Sequence, residues 1–175
     1  MALALAFIST IILFFAVGFF LPAKWTVERT IVINATPAQI YPLVSDFKTG
    51  WSQWSAFDFE DPTIQYSYSG PSEGVGAERS WTSKKMGDGS QRMLMANPQI
   101  GVVFELVMKQ NPIPISGRIS FETIGNTTKV TWHDEGDMGN NIPLRYLGRF
   151  MNNMMGKNFE TSLNTLKQKA ENTKN

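Results

Sequence analysis

The sequence predicts an α+β protein in which a curved antiparallel sheet wraps around a long C-terminal helix, with one transmembrane helix in front. Three observations carry that reading. An uncharged apolar run opens the chain, short alternating segments separated by Gly- and Pro-containing turns fill its middle, and apolar residues recur every three or four positions near its end. The 175 residues hold 16 Lys+Arg and 15 Asp+Glu, a net charge of +1, with one His and no Cys. This near-neutral balance gives no basic footprint for nucleic acid. The lack of thiols excludes disulfides, Cys nucleophiles, Fe–S clusters and Cys-ligated zinc.

The opening run, ALALAFISTIILFFAVGFFL from Ala2 to Leu21, has only Ser9 and Thr10 as polar side chains, and the first charged side chain is Lys24. At ~1.5 Å per residue its length approaches the ~30 Å hydrocarbon core of a bilayer. Residues 1–23 are therefore read as a transmembrane anchor and 24–175 as the domain it carries. A cleaved secretory signal fits less well, because it wants a basic start, an apolar core of about 7–15 residues and a small-x-small cleavage site. The candidate site, Phe20-Leu21-Pro22-Ala23, has Leu where a small residue belongs. Lys24 and Arg29 follow the run, so the positive-inside tendency favours a single-pass membrane protein with its domain in the cytoplasm. Trp25 reads either as a headgroup-level anchor or as a strand residue of the domain.

Alternation in WTVERTIVI puts Val27, Ile31 and Ile33 on one strand face. Asn34-Ala35-Thr36-Pro37 then opens a helix with Ile40, Leu43, Val44 and Phe47 at helical spacing, ending before Thr49-Gly50. WSQWSAFDFEDP has no clean period and reads as a helical turn and a loop. Six strand segments follow: Thr63–Ser69, Ala77–Lys85, Ser90–Asn97, Val102–Gln110, Ile115–Ile124 and Thr128–His133. Pro98 to Gly101 and Gly125-Asn126 resemble hairpin connections, and Pro112 to Pro114 fits a strand only at a bulge or edge. Ile142 to Ala170 carries Leu144, Leu147, Met151, Met154, Met155, Phe159, Leu163 and Leu166, which predicts one long helix with one apolar face.

Together, RTIVINATPAQIYPLVSDF, the tryptophan pair of WSQWSAF, the glycine-bounded YSYSGPSEGVGAERSW, the strand VTWHDEGD and the terminal GKNFETSLNTLK resemble the helix-grip superfamily of START domains and polyketide cyclase-like proteins, often called SRPBCC. The resemblance spans nearly all of 24–175. It implies a deep apolar pocket under the last helix that holds a lipid, sterol, polyketide or other hydrophobic molecule. It does not choose among carriers, enzymes and regulators.

The residues themselves offer little catalytic stock. His133 shares a strand face with Thr131 and Glu135, opposite Val130, Trp132 and Asp134, so an inward Trp132 sends His133 to solvent. Asp58, Glu60 and Asp61 read as a solvated loop, since no calcium-loop pattern accompanies them. Gly74-Val75-Gly76 starts a dinucleotide-like pattern but has Arg79 in place of the third glycine, and Gly156-Lys157 lacks the rest of a phosphate loop. Arg145 and Arg149, one helical turn apart, read as exposed charge that meets anionic headgroups only if that end of the helix faces the bilayer. No metal or cofactor is called for.

The apolar inventory of 9 Met, 5 Trp and 12 Phe is more informative, because Met adapts to irregular ligands as readily as to irregular cores. The candidate pocket wall is Tyr66, Tyr68, Trp81, Met93, Phe104, Phe121, Trp132, Met151, Met155 and Phe159. The leading functional expectation is a membrane-anchored module, tethered through residues 2–21, that binds a hydrophobic small molecule or lipid. The alternatives are a polyketide cyclase or dehydratase-type enzyme, which needs an ionisable group inside the pocket, and a regulatory interaction module without ligand. Binding ranks above catalysis, because adaptable apolar residues are plentiful and catalytic types are few.

Overall fold

The computed structural model describes residues 2–172, and of residues 111 and 112 the backbone alone. After helix α1 (Ala2–Phe20) come strand β1 (Lys24–Ile33), helix α2 (Pro37–Ser45), a single 3-10 turn at Trp51–Gln53 and the short helix α3 (Ala56–Glu60). Six strands follow: β2 (Gln65–Ser69), β3 (Glu78–Thr82), β4 (Gly89–Asn97), β5 (Gly101–Met108), β6 (Asn111–Ile124) and β7 (Thr127–Asp137). Helices α4 (Ile142–Gly148) and α5 (Met151–Asn172) close the chain.

The strands form one antiparallel sheet in the order β1-β7-β6-β5-β4-β3-β2. β2 to β7 are a meander, and β1 closes it by pairing with β7, so the first and last strands lie side by side. Register defines the inner rows. Val27, Asp134, Gly117, Phe104 and Met93 are successive partners across five strands, and Tyr68, Arg79, Gln91, Leu106 and Ile115 form the adjacent row. Gly117 is required in its row because the Phe104 ring lies over it, where any Cβ would collide.

α5 closes the inner face. Its buried residues Phe159, Leu163, Leu166 and Ala170 recur at three- and four-residue steps, and Phe159 stacks on Trp132 with ring centroids 4.0 Å apart. α2 is started by Pro37 in its first turn, with the Gln39 side chain accepting from the Thr36 N–H at 2.8 Å. Its C-terminal carbonyls, orphaned by the helix end, are met by the tryptophan pair: Trp51 Nε1 donates to Val44 O at 2.8 Å and Trp54 Nε1 to Leu43 O at 2.7 Å. Trp51, Trp54 and Phe47 are fully buried as a result.

This is the helix-grip architecture that the sequence implies, with two corrections and one alternative settled. The single long helix is two, interrupted at Arg149 and Phe150, because α4 packs on α1 while α5 packs on the sheet and one straight rod cannot serve both. Trp25, read from sequence as either a headgroup-level anchor or a strand residue, is a strand residue, buried against Gly136 and near Gly148. The β5 segment ends at Met108, and the register slips between Leu106 and Met108 beside the proline-bearing start of β6, as proline's missing donor requires.

The Trp132–Phe159 stack is the central contact between sheet and closing helix. Phe159→Ala is expected to lower stability by about 3–5 kcal/mol, whereas Met154→Ala, at a 59% exposed position, should change it by less than about 0.5 kcal/mol. Chemical denaturation of the detergent-solubilised chain measures both.

Candidate functional site

A cavity of about 280 Å³ lies between the inner face of the sheet, α3 and the first turns of α5. Its walls are mostly apolar: Trp51, Phe57, Ile64, Trp81, Met86, Phe104, Leu106, Met108, Ile115, Trp132, Met151 and Met155. Asp58, Glu60, Tyr66, Arg79, Gln91 and Asp134 supply its polar groups. A second, more open depression of about 560 Å³ runs over β2, β3 and β4 past Ser67, Ser80, Ser90, Asp88 and Lys109, and lacks apolar enclosure. The enclosed cavity is therefore the candidate site.

Two buried charged systems face it. Asp58 and Arg79 form an ion pair, with Arg79 Nη1 at 3.1 and 3.0 Å from the two carboxylate oxygens and both side chains about 5% exposed. Arg79 Nε donates to Gln91 Oε1 at 2.9 Å. The guanidinium lies 5.0 Å from the Trp51 ring, 5.3 Å from Phe47 and 5.4 Å from Tyr66. Its Nε and Nη1 are met by fixed acceptors and its charge by π-faces, which is how a buried cation is tolerated. Burial, and secondarily the Asp58 charge, push the Tyr66 hydroxyl up from its ordinary value, so it stays a protonated donor.

Asp134 is the second system. It follows Trp132 by two residues and so shares the inward face of β7. Trp132 Nε1 donates to its Oδ1 at 2.9 Å. Burial outweighs that hydrogen bond and raises the Asp134 carboxyl to about 7. A carboxyl that titrates near neutrality inside an apolar cavity can exchange a proton with a bound molecule or give it a hydrogen bond. His133 points the other way, on the outer face, between Glu28 at 3.0 Å and Glu135 at 3.8 Å. Among the described residues no cluster of three His, Cys, Asp or Glu side chains could hold a metal.

Of the residues proposed from sequence, Tyr66, Trp81, Phe104, Trp132, Met151 and Met155 border the cavity. Four stand elsewhere. Phe159 lies behind Trp132, Met93 and Phe121 are in the packed core, and Tyr68 is 40% exposed on the edge strand. The reading of Asp58, Glu60 and Asp61 as a solvated loop is overturned for Asp58 and Asp61, while Glu60 is exposed but helical. Asp58 and Glu60 lie on α3, Asp58 is paired with Arg79, and Asp61 is buried, accepting from Ser83 and Thr63 at 2.6 Å. Those hydrogen bonds hold the Asp61 carboxyl down at about 2.

Sequence reasoning also passed over Arg79, Gln91 and Asp134 as site residues. The period-2 rule places all three, since Arg79 shares a face with Trp81, Gln91 with Met93 and Asp134 with Trp132.

The family model described as polyketide cyclase / dehydrase and lipid transport matches residues 24–171. This chain belongs to that family. Among solved structures, CV1439 from Chromobacterium violaceum superposes with a TM-score of 0.60 at 13% identity, covering 83% of this chain and 96% of that one. MLL2253 from Mesorhizobium loti gives 0.61 at 10% identity, covering 86% and 99%. DynU16, encoded in the dynemicin biosynthetic locus, gives 0.56 at 11% identity, covering 82% of this chain and 46% of its own. At such identities these likenesses speak for the fold alone. No curated protein matches the chain in sequence. For a member of the polyketide cyclase / dehydrase and lipid transport family, a ligand-binding or cyclase-type role is supported.

Two outcomes test the site. Because the folded state prefers protonated Asp134, its contribution to stability is full below about pH 4 and is lost as pH rises toward about 7. Asp134→Asn should abolish that decline, while the loss of stability below about pH 4 that comes from Asp61 persists; thermal melts across pH 3–8 measure this. Arg79→Met alone should cost about 3–5 kcal/mol by stranding Asp58, and Arg79→Met with Asp58→Leu should recover most of it, as read by denaturant midpoints.

Proposed function

We propose that residues 24–175 form a binding domain for a small hydrophobic molecule carrying a polar group, held in the cavity under α5, and that residues 1–23 anchor this domain to a membrane. The observation that carries the reading is the composition of the cavity. Aromatic and Met walls enclose it, while Asp134, Tyr66 and the Arg79–Asp58 pair offer a few fixed polar contacts, the pattern of a ligand pocket. Its volume is near the lower end of the ~300–1,000 Å³ typical of such pockets, which favours a compact ring system or a single short chain over a two-chain lipid. Among the described helices α1 alone has the length and apolarity to cross a bilayer, and Lys24 and Arg29 behind it favour the cytoplasmic side.

Asp134 favours a second reading, in which the cavity performs proton-transfer chemistry of the cyclase or dehydratase kind. A carboxyl at about 7 is suited to take a proton from, or return one to, a carbon or oxygen of a bound polyketide-like substrate. On this reading, Asp134→Asn abolishes turnover and leaves ligand retention intact.

Mass spectrometry of small molecules extracted from the purified chain, compared with Met155→Trp, tests the binding reading. Met155 lines the cavity, and the indole fills it. A species enriched in the parent and depleted roughly tenfold in the folded variant, equivalent to about 1.4 kcal/mol, is expected. A parent and a variant that are equally empty would overturn the reading.

A further inference from the structure

The proposed anchor does not leave the domain at a free hinge. Its last turns are packed along α4. Gly18 is the buried residue of α1, and a Cβ there would collide with Ile142 and Tyr146. The Tyr146 ring stacks on Phe14 at 4.5 Å, and its hydroxyl donates to Phe14 O at 2.7 Å. Arg145 Nη1 donates to Phe19 O at 2.9 Å and Leu21 O at 3.4 Å, meeting carbonyls that the end of α1 leaves without partners. Phe14 lies six residues before Phe20, ~9 Å along the helix axis. If α1 spans a bilayer, Tyr146 is drawn to about that depth below the end of the span, the 5–10 Å range at which interfacial helices lie. Leu147, Phe150 and Met154, all exposed, follow it along α4, the junction and the first turn of α5.

Register puts other features at this same end of the sheet. The start of β1 and the end of β7 meet there, with the β3–β4 and β5–β6 connections. Those connections carry Lys84, Lys85 and Lys109, all exposed, although Lys85 Nζ donates to Glu60 O at 2.8 Å and Lys109 reaches Asp88 at 3.7 Å. At the opposite end, the connections 34–36, 70–77, 98–100 and 125–126 contain no Lys or Arg, and two lysines near it are engaged, Lys48 over the Tyr68 ring at 5.9 Å and Lys167 Nζ donating to Val32 O at 2.9 Å. Four cavity-wall methionines, Met86, Met108, Met151 and Met155, belong to the α1 end or to the first turns of α5.

We infer that α4, the α4–α5 junction and the two lysine-bearing hairpins form a single rim seated on an anionic leaflet, so that the cavity exchanges its ligand directly with the membrane. The inference rests on the anchor reading above and adds an orientation to it. Apolar side chains at the junction enter the headgroup boundary, and the hairpin lysines meet anionic lipid, whose surface potential attracts basic side chains close to it. A ligand that partitions into the leaflet thus reaches Met151 and Met155 without crossing water.

The lack of native cysteines makes the test direct. Single cysteines at Phe150, Lys109 and, at the opposite end, Gln99 are labelled with an environment-sensitive fluorophore in the full chain, reconstituted into phosphatidylcholine vesicles with or without one-third phosphatidylserine. The Phe150→Cys and Lys109→Cys probes should shift to the blue and be quenched by spin-labelled lipid. Phosphatidylserine should at least double the quenching at Lys109→Cys, and Gln99→Cys should respond to neither. Chain that floats with vesicles while all three probes stay in water, or a rim probe that shifts without lipid quenching because protein covers it, would overturn the orientation and leave the anchor standing. Chain that does not float with vesicles would overturn the anchor itself.

Discussion

The structure depends on the packing of Trp132. Its indole receives Phe159 from α5 on one face, meets Trp51 and Trp54 edge-on at 5.6 and 5.4 Å, and uses its one polar atom to hold Asp134. Four parts of the fold converge there: strand β7 of the sheet, the closing helix, the turn behind α2 and the cavity. Trp51 and Trp54 are themselves fixed by the carbonyls at the end of α2, so the helix terminus and the aromatic cluster satisfy each other. Aromatic rings in edge-to-face contact gain more than their buried area alone supplies, and their rigidity explains how a sheet can be held off its covering helix. The rings prop α5 against the sheet at Trp132, and beyond that contact, toward Met151, the layers enclose the cavity instead of closing on each other.

The charges that the cavity contains follow from the same architecture. A carboxylate or guanidinium placed inside an apolar shell costs several kcal/mol unless it is paired or neutral, and this chain uses both solutions. Arg79 and Asp58 neutralise each other within a ring of aromatic faces. Asp134, with a single indole donor, is eased by protonation and so titrates close to 7. A neutralised pair and a carboxyl that titrates near neutrality are the groups that the two proposed readings, retention of a hydrophobic molecule with a polar group and proton transfer, each require.

The interruption between α4 and α5 links this pocket to the N-terminal helix. Gly148 ends α4 beside Trp25 and Met138, and Arg145 and Tyr146 reach back to the backbone of α1. The first and last segments of the chain therefore meet at the end of the sheet where the cavity methionines gather.

Local chemistry in the sequence determined the order of elements: period-2 alternation for the strands, Thr36-Pro37 for the start of α2, three- and four-residue steps for α5, and an uncharged run for α1. It also indicated which strand face each residue occupies, and so carried Tyr66, Trp81, Phe104 and Trp132 to the inner surface. Tertiary structure alone decided where that surface is solid and where it is hollow, which separated Met151 and Met155 at the cavity from Phe159 and Met93 in the core. It also decided the fate of the charges. Asp58 looks solvated in sequence because its partner Arg79 is 21 residues away, and burial is a property of the closed sheet rather than of any window of residues. The break of the last helix has the same origin: its apolar face is continuous in sequence, but the two surfaces it must cover, α1 and the sheet, do not lie along one line.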